Sequence, residues 1–281
     1  YGLVTTHFPS LRPKLVKKDD LTEDDAKSYM LASASCFPAF KPTKIGKNFY
    51  IDGGYYDNMP INFAISMGAD EVIAVDLKAV GIVREVKDKN VKITYITPKN
   101  DLGSFLAFEK DYSRKAISFG YNDTMKVYKM LDGNIYTFKK GSLDRNYKRM
   151  HDKFNYYMDL YLNRVAKLKF KKITLSDNTK YFNDVLENTL KAFNIDESKI
   201  YRASFANVLI KKEFLKCEIK KFNTIKKAIK NNSLKKAFVS KELICYIHNE
   251  IEKENKRLIN DLAIMFPNAF LCALYIKTIE R

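Results

Sequence analysis

Residues 48–62 read NFYIDGGYYDNMPIN, and this stretch decides the fold. Residues 49–51 are aromatic or β-branched and favour a strand. Gly53 and Gly54 supply the positive φ angles and the bare backbone that a tight turn requires. The pattern therefore predicts that Asp52 lies at the carboxyl end of a strand, directly before a tight turn.

A helix and a second strand are predicted after this turn. Pro60 suits the first turn of a helix, and Gly68 is placed to end it. The next run, EVIAVDL at residues 71–77, predicts a strand buried on both faces. Because a crossover helix returns the chain in the same direction, we expect this strand to pair in parallel with the Asp52 strand. The apolar face of the helix comprises Ile61, Phe63, Ala64 and Met67.

Two interpretations of Asp52 follow from the residues alone. In open α/β sheets ligands bind at the carboxyl ends of the strands, so an acid there is a candidate for chemistry. However, an aspartate before glycine often only accepts a hydrogen bond from its own turn. The tripeptide by itself favours this structural role.

Three segments resemble patatin-like phospholipases. The run DGGYYDNMP, with the helix, the Gly-Ala pair and the apolar strand that follow it, resembles the C-terminal half of their domain. ASASCFPAFKP at 32–42 and LGSFLAFEKDYSRKAISFGYNDTMKVYKMLDG at 102–133 are similar to flanking parts of the same domain. The resemblance covers roughly residues 1–138 and is fairly specific in its Asp-Gly-Gly-x-x-x-Asn-x-Pro core.

The resemblance implies a partial three-layer α/β/α sheet and a lipid acyl hydrolase that uses a serine and an aspartate as a catalytic dyad. Asp52 matches the catalytic aspartate. A carboxylate within hydrogen-bond distance can take the serine proton during attack without a histidine. The family implies neither a metal nor an organic cofactor. The motif-supporting residues are Gly53, Gly54, Asn58 and Pro60.

The sequence departs from the family in one important respect. Its ten glycines never bracket a serine in the Gly-x-Ser-x-Gly spacing of the family's nucleophile, and the glycine-rich oxyanion loop is also missing. The chain begins at Tyr1. We therefore expect a fragment that carries only the dyad aspartate and is inactive by itself.

Other candidate motifs are weaker. Ser33 and Ser35 lie in an Ala/Ser-rich helix end without a glycine elbow, which favours close packing. SLKK at 233–236 is a chance match to Ser-x-x-Lys in a lysine-rich segment. A nucleotide-binding module would need Gly-x-Gly-x-x-Gly before Asp76, and this motif is missing. The histidines fit no triad and are interpreted as structural or surface residues; they are His7, His151 and His248.

Composition bounds the class of protein. With 281 residues and 46% hydrophobic content, the chain is long enough for one large or two modest globular domains. The spacing of the four cysteines predicts neither a zinc site nor a disulfide framework, so a reducing compartment is the expected location. No apolar run is long enough to span a membrane; FLCALYI at 270–276 is the longest. We expect a cytoplasmic protein, with peripheral membrane association left open.

Positive charge is concentrated in the second half. Residues 1–138 carry 19 Lys plus Arg against 17 Asp plus Glu, whereas residues 139–281 carry 31 against 16. A boundary is therefore predicted near 139–145, dividing a patatin-like part at 1–140 from a basic, mainly helical extension at 141–281. The runs from 214 and from 243 show helical spacing of apolar residues.

The basic extension has two interpretations. A basic amphipathic helix can contact an anionic membrane surface weakly, and a lipid hydrolase must reach such a surface. A solvated lysine face over a helical core explains the same pattern. No nucleic-acid recognition motif is present. The sequence thus predicts a patatin-like lipid acyl hydrolase; a non-catalytic lipid- or protein-binding module and, less favoured, a nucleotide-binding module stay open.

Overall fold

A computed structural model of the chain describes residues 1–104, 109–163, 167, 170, 178–217 and 239–280. The chain divides into two compact units, Tyr1–Ala116 and Ile117–Arg281. The first unit mixes strands and helices, and the second is largely helical, which confirms an α/β chain with a helical C-terminal part. The three-layer arrangement and the compositional boundary near 139–145 stay predictions.

Two sheets form the first unit in the described part of the chain. One is antiparallel with strand order β2-β1-β4-β3, and the other is a parallel pair of β5 and β6. Helix α1 packs on β1, β3 and β4, and α2 packs on β5. The strands are β1 (Gly2–Phe8), β2 (Pro13–Lys17), β3 (Thr43–Ile45), β4 (Asn48–Asp52), β5 (Glu71–Val75) and β6 (Lys92–Ile96), and the helices are α1 (Glu23–Ser33) and α2 (Ile61–Ser66).

Strand β4 and the helix after it agree with the local prediction. Asp52 is the last residue of β4, Pro60 precedes α2, and Gly68 follows it with a φ of +96°. The Gly68 N–H donates to Ile65 O, and the Ala69 N–H donates to Ala64 O. These two bonds form the glycine-dependent helix ending that satisfies the last carbonyl groups. On the helix face, Ile61 and Phe63 are buried, whereas Met67 is exposed.

The predicted pairing of β4 with β5 is wrong. Strand β1 occupies one edge of β4, with Thr5 opposite Asp52, and β3 occupies the other edge, with Thr43 opposite Tyr50. Because a strand has only two hydrogen-bonding edges, β5 pairs elsewhere, in parallel with β6.

The predicted burial of β5 on both faces is also wrong. Of its five residues only Ala74 is buried, and Ile73 and Val75 are 55% and 58% exposed. The apolar run identified a strand but did not identify what would cover its faces.

The second unit combines a small sheet with a helical core. Helix α3 (Lys110–Val127) contains the division between the units. In the three-stranded sheet, β8 lies between antiparallel β7 and parallel β9. The remaining elements are β7 (Leu131–Asp132), β8 (Thr137–Lys139), α4 (Ser142–Tyr161), α5 (Asn178–Ala192), β9 (Ile200–Tyr201), α6 (Ala203–Phe214), α7 (Lys241–Glu252), α8 (Lys256–Met265) and α9 (Pro267–Ile279).

Helix α9 lies at the centre of the second unit. It contacts α4, α5, α6, α7 and α8. Ten of its residues are buried, and they include the apolar run at 270–276. A helix that is apolar on all sides must be surrounded by other elements, and α9 meets this condition. No described helix has the length and hydropathy needed to span a membrane.

The cysteine prediction needs correction. Cys217 and Cys245 form a disulfide, with Cα atoms 6.6 Å apart, while Cys36 and Cys272 are free. Cys217 and Cys245 are 28 residues apart, and no local sequence signal marks them as a disulfide pair. Their pairing depends on how α7 packs beside the end of α6. Most of the helical run predicted from residue 214, and SLKK at 233–236, lie outside the described residues. The run from 243 forms α7 and α8, as predicted.

The central position of α9 gives a stability prediction. Leu274 is fully buried, so Leu274→Ala should lower the free energy of unfolding by about 2–5 kcal/mol, through lost burial and the cavity left behind. Leu215 is 83% exposed, so Leu215→Ala should change the free energy of unfolding by less than about 0.5 kcal/mol. Urea unfolding followed by circular dichroism at the helix band measures both. Equal losses in the two variants would contradict the central role of α9.

Candidate functional site

The backbone fixes Asp52 at the end of β4. Its N–H donates to Ser35 O at 3.0 Å, so the segment after α1 holds the strand end. On the other side Asp52 lies opposite Thr5 of β1, whose Oγ1 donates to Ile51 O at 2.7 Å. Neighbouring elements on two sides therefore position the aspartate.

The Asp52 carboxylate has two different oxygen atoms. Oδ1 accepts a hydrogen bond from the Gly54 N–H at 2.7 Å, as the structural interpretation of the turn predicted. Among the described residues, Oδ2 has no hydrogen-bond partner, and the side chain is only partly buried. One oxygen thus holds the turn, and the other is available to a proton donor.

The two glycines are required for a reason other than the predicted one. Gly53 and Gly54 belong to a short 3₁₀ turn and do not adopt positive φ angles. Instead, a Cβ atom at Gly53 would lie 2.3 Å from Val4 O, and one at Gly54 would lie 2.9 Å from Asn58 Oδ1. Close approach of the rigid Val4 backbone, rather than a left-handed backbone conformation, excludes a side chain at Gly53, whereas a side chain at Gly54 would displace the Asn58 amide.

Asn58 connects the turn to the loop at residues 79–82. Its N–H donates to Ile82 O at 2.6 Å, and its Nδ2 donates to Ala79 O at 3.2 Å. The Ile82 N–H donates in turn to Gly54 O at 2.9 Å. A Cβ atom at Gly81 would lie 2.7 Å from Asn58, so the loop passes tightly over this side chain. Asn58 therefore supports the site by holding the 79–82 loop.

A cavity of about 530 Å³ opens beside Asp52. Its walls are largely apolar, and Asp52 is the only acidic side chain among the described residues that line it. A cavity of this kind suits an apolar group that carries a reacting centre close to the acid. The lining residues are Ala34, Cys36, Phe40, Asp52, Gly54, Tyr55, Asn58, Ala79, Val80, Gly81 and Ile82.

The hydroxyl groups near the site are already engaged. Ser33 Oγ donates to Val4 O at 2.7 Å, and Ser35 Oγ donates to Leu31 O at 2.8 Å and contacts Thr43 Oγ1. The Tyr55 hydroxyl donates to Phe37 O. These contacts agree with a packing role for both serines.

Asp57 is buried and caps its own loop. Its Oδ1 accepts a hydrogen bond from the Met59 N–H at 3.3 Å. Burial raises the pKa of the Asp57 carboxyl, and this effect outweighs the backbone hydrogen bonds and the nearby Arg84 charge, which lower it.

The contacts of two histidines agree with structural or surface roles. His7 contacts Ser10 and Asn48, and His151 contacts Asp152 and Asn155. All of these contacts are local or on the surface.

One group of side chains has metal-ligand chemistry. His248, Glu252 and Glu280 bring one ligand atom each within 4.8 Å of one another. His248 Nε2 lies 3.0 Å from Glu280 Oε1, and Lys277 contacts Glu252. The pKa of Glu280 is lowered because the His248 hydrogen bond and nearby positive charges outweigh burial, which raises it. Ion pairs within the protein account for this cluster without a metal.

The comparison with protein families supports the resemblance found in the sequence. Residues 3–65 match the family model described as Patatin-like phospholipase, a stretch that runs from β1 to α2 and contains Asp52. The match covers 63 of the 281 residues and suggests a hydrolase family with lipid as its general kind of substrate. No curated protein and no solved structure matched the chain.

The tight packing of Gly53 gives a second prediction. Gly53→Ala should lower the free energy of unfolding of the first unit by about 1–3 kcal/mol, because its methyl group meets the rigid Val4 carbonyl. Gly120 lies inside α3 and has open space at its Cβ position, so Gly120→Ala should raise the free energy of unfolding by about 0.5–1 kcal/mol. Hydrogen exchange of the β1 and β4 amides separates the two effects. Unchanged β4 protection in Gly53→Ala would contradict the close contact.

The raised pKa of Asp57 predicts a pH dependence. An acid whose folded pKa is raised stabilises the fold below its unfolded pKa of about 3.9 and loses that contribution as pH rises through the folded pKa. Asp57→Asn keeps the acceptor for the Met59 N–H and removes the titration. Chemical unfolding from pH 3 to 8 should show variant and parent alike at the acid end, with the variant gaining relative stability as pH rises. If the stability of the variant relative to the parent falls as pH rises, the raised pKa of Asp57 is contradicted.

Proposed function

We propose that Asp52 is the aspartate of a serine-aspartate dyad in a patatin-like lipid acyl hydrolase. The observation that carries the proposal is the free Oδ2 of Asp52 beside an apolar cavity, within the segment that matches the family. The serine of the dyad is not supplied by a Gly-x-Ser-x-Gly segment in these 281 residues. The proposal therefore requires that an elbow serine from outside this sequence approaches Asp52.

The chemistry that Asp52 would perform is proton transfer. As the serine oxygen attacks the ester carbonyl carbon, the Asp52 carboxylate takes the hydroxyl proton, and the resulting acid returns it to the leaving alcohol. Water then releases the acyl group by the same route in reverse. The Gly54 N–H bond to Oδ1 fixes the carboxylate, so Oδ2 can keep its orientation during both transfers.

The largely apolar lining of the cavity favours an acyl chain over a polar substrate. Phe40, Val80 and Ile82 provide apolar contacts, and the Asn58 bonds hold the loop that carries the last two. A chain of CH₂ groups gains about 0.8 kcal/mol for each one buried in such a site. The acid at one end would then lie near the ester group of the same substrate.

The proposed function needs no metal and no organic cofactor. Peripheral access to membranes fits a lipid substrate and is proposed together with the activity, whereas the cytoplasmic location expected from unpaired cysteines loses its basis with the Cys217–Cys245 disulfide. A non-catalytic lipid-binding module would use the same cavity without proton transfer, so the Asp52 carboxylate separates the two functions.

The decisive substitution is Asp52→Asn. In a polypeptide that joins this chain to upstream sequence with a Gly-x-Ser-x-Gly elbow, it should lower ester hydrolysis about a hundred to ten thousandfold. The amide keeps the size of the side chain and can still accept the Gly54 N–H, but it cannot take the serine proton. Initial rates on a short activated ester measure the loss, and the 281-residue chain alone serves as the blank.

Asp57→Asn is the matched control. Asp57 is buried below the turn and does not line the cavity, so this variant should retain most of the parental activity. If Asp52→Asn keeps parental activity, the dyad is wrong and Asp52 is a turn residue. If its activity falls only in step with the folded fraction, the role of Asp52 is structural.

A further inference from the structure

The second unit contains a strongly basic cavity of about 780 Å³. Six cationic side chains line it, and no acidic side chain lies among the described residues that do. Its volume falls within the range of small-molecule sites, about 300–1,000 Å³. The lining comprises Lys139, Lys140, Ser142, Arg145, Asn146, Arg149, Met150, Arg202, Ser204, Asn207, Val208, Lys211 and Ile279.

Two helices each turn one face toward this cavity. Helix α4 contributes Arg145 and Arg149, which are four residues apart and therefore neighbours on one side of the helix. Helix α6 contributes Ser204, Asn207 and Lys211 at the same kind of spacing. The cations are thus gathered at one place by the packing of α4 against α6.

Most of this positive charge is not neutralised by the described residues. Lys140 pairs with Asp132 at 2.7 Å. In the described part of the chain, Lys139, Arg145, Arg149 and Arg202 make no ion pair within 4.0 Å. Cations that repel one another in a shared cavity favour an anionic ligand that bridges them.

The floor of the cavity is rigid and polar. Asn207 Nδ2 donates to Asn146 Oδ1 at 2.9 Å, Asn146 Nδ2 donates to the Tyr275 hydroxyl at 2.9 Å, and that hydroxyl donates to Asn207 Oδ1 at 2.8 Å. All three side chains are buried. This closed ring of hydrogen bonds fixes α4, α6 and α9 below the cations, so the arginines extend from a preorganised base.

The first turns of two helices also meet at the cavity. Helix α4 begins at Ser142 and α6 at Ala203, and neither has a side-chain N-cap hydrogen bond. Ser142 Oγ accepts from the Ala203 N–H at 2.7 Å, which brings the two starts together. The positive ends of both helix dipoles add to the arginine and lysine charges.

We propose that this cavity binds a compact anion that carries at least two phosphate groups. Planar guanidinium groups such as those of Arg145 and Arg149 can each donate two parallel hydrogen bonds to a phosphate. The cations are too many for one phosphate and are spread over strand β8 and helices α4 and α6, so several phosphates on one small molecule satisfy them together.

Two sources supply this chemistry. A soluble polyphosphorylated metabolite would occupy the cavity alone. A polyphosphorylated lipid headgroup would also bring the bilayer to two apolar side chains, Phe205 and Val208. They lie beside Lys139 and Arg202 and are 54% and 55% exposed. The source is the variable that the experiment separates.

The test uses the full chain and two probes. Calorimetric titration with inorganic tripolyphosphate reports the soluble ligand, and co-sedimentation with phosphatidylcholine vesicles containing a phosphatidylinositol bisphosphate reports the headgroup. The site variant is Arg145→Gln with Arg149→Gln, both on exposed side chains. The control is Lys256→Gln with Arg257→Gln on α8, which removes the same charge from exposed positions outside the cavity.

The site variant should bind about tenfold or more weakly to at least one probe, and the control should stay within about twofold of the parent. Loss with tripolyphosphate alone assigns the soluble source, and loss with the vesicles, whether or not tripolyphosphate binding is also lost, assigns the lipid. Binding to neither probe, equal loss in the control, or equal binding to phosphatidylserine vesicles of matched charge would overturn the proposal. If the double variant melts below the parent, Arg202→Gln alone, between β9 and α6, replaces it under the same criteria.

Discussion

The candidate site depends on the contact between the Gly53 backbone and the Val4 carbonyl oxygen. No side chain fits between them, so the turn after β4 can lie against β1 only with glycine at this position. That approach fixes where β4 ends and therefore where Asp52 begins its turn. The hydrogen bond from Gly54 to Asp52, the bond from Asn58 to the 79–82 loop and the cavity behind them all follow from this one close contact.

The sequence predicts the local part of this arrangement well. The end of β4 at Asp52, the start of α2 after Pro60 and its end at Gly68 are all confirmed, because short-range backbone preferences decide them. The partner of β4 could not be predicted in the same way. Strand pairing depends on residues distant in sequence, and β1 and β3 occupy both edges of β4, one of which the pattern assigned to β5.

For the candidate site, the sequence points to an acid but not to the walls around it. The Asp-Gly-Gly motif and its family resemblance single out Asp52 as the candidate, and the family match covers this segment. The 79–82 loop carries no motif, and only Gly81 hints at a close approach. Its role depends on hydrogen bonds between Asn58 and backbone carbonyl groups, which any sequence could supply. The positive φ angles predicted for Gly53 and Gly54 were wrong for a related reason, since the steric contact of Gly53 with Val4 cannot be read from the sequence.

The positive charge of residues 139–281 is likewise predictable in amount but not in location. The excess of lysine and arginine is plain in the composition, yet the count does not reveal where the charges gather. Only the packing of α4 against α6 places Arg145 and Arg202 at one cavity. A basic stretch can thus hold a confined site, whereas its composition suggests only a diffuse surface.

The position of α9 has a consequence for how the protein is made. Its side chains fill the centre of the second unit, yet they follow every other helix of that unit in the chain. A ribosome therefore releases α4, α5 and α7 before the element that covers their apolar faces exists. Until residue 279 has emerged, these faces are open to chaperones or to one another, so this unit closes only after α9 has been made, when the first can already be folded.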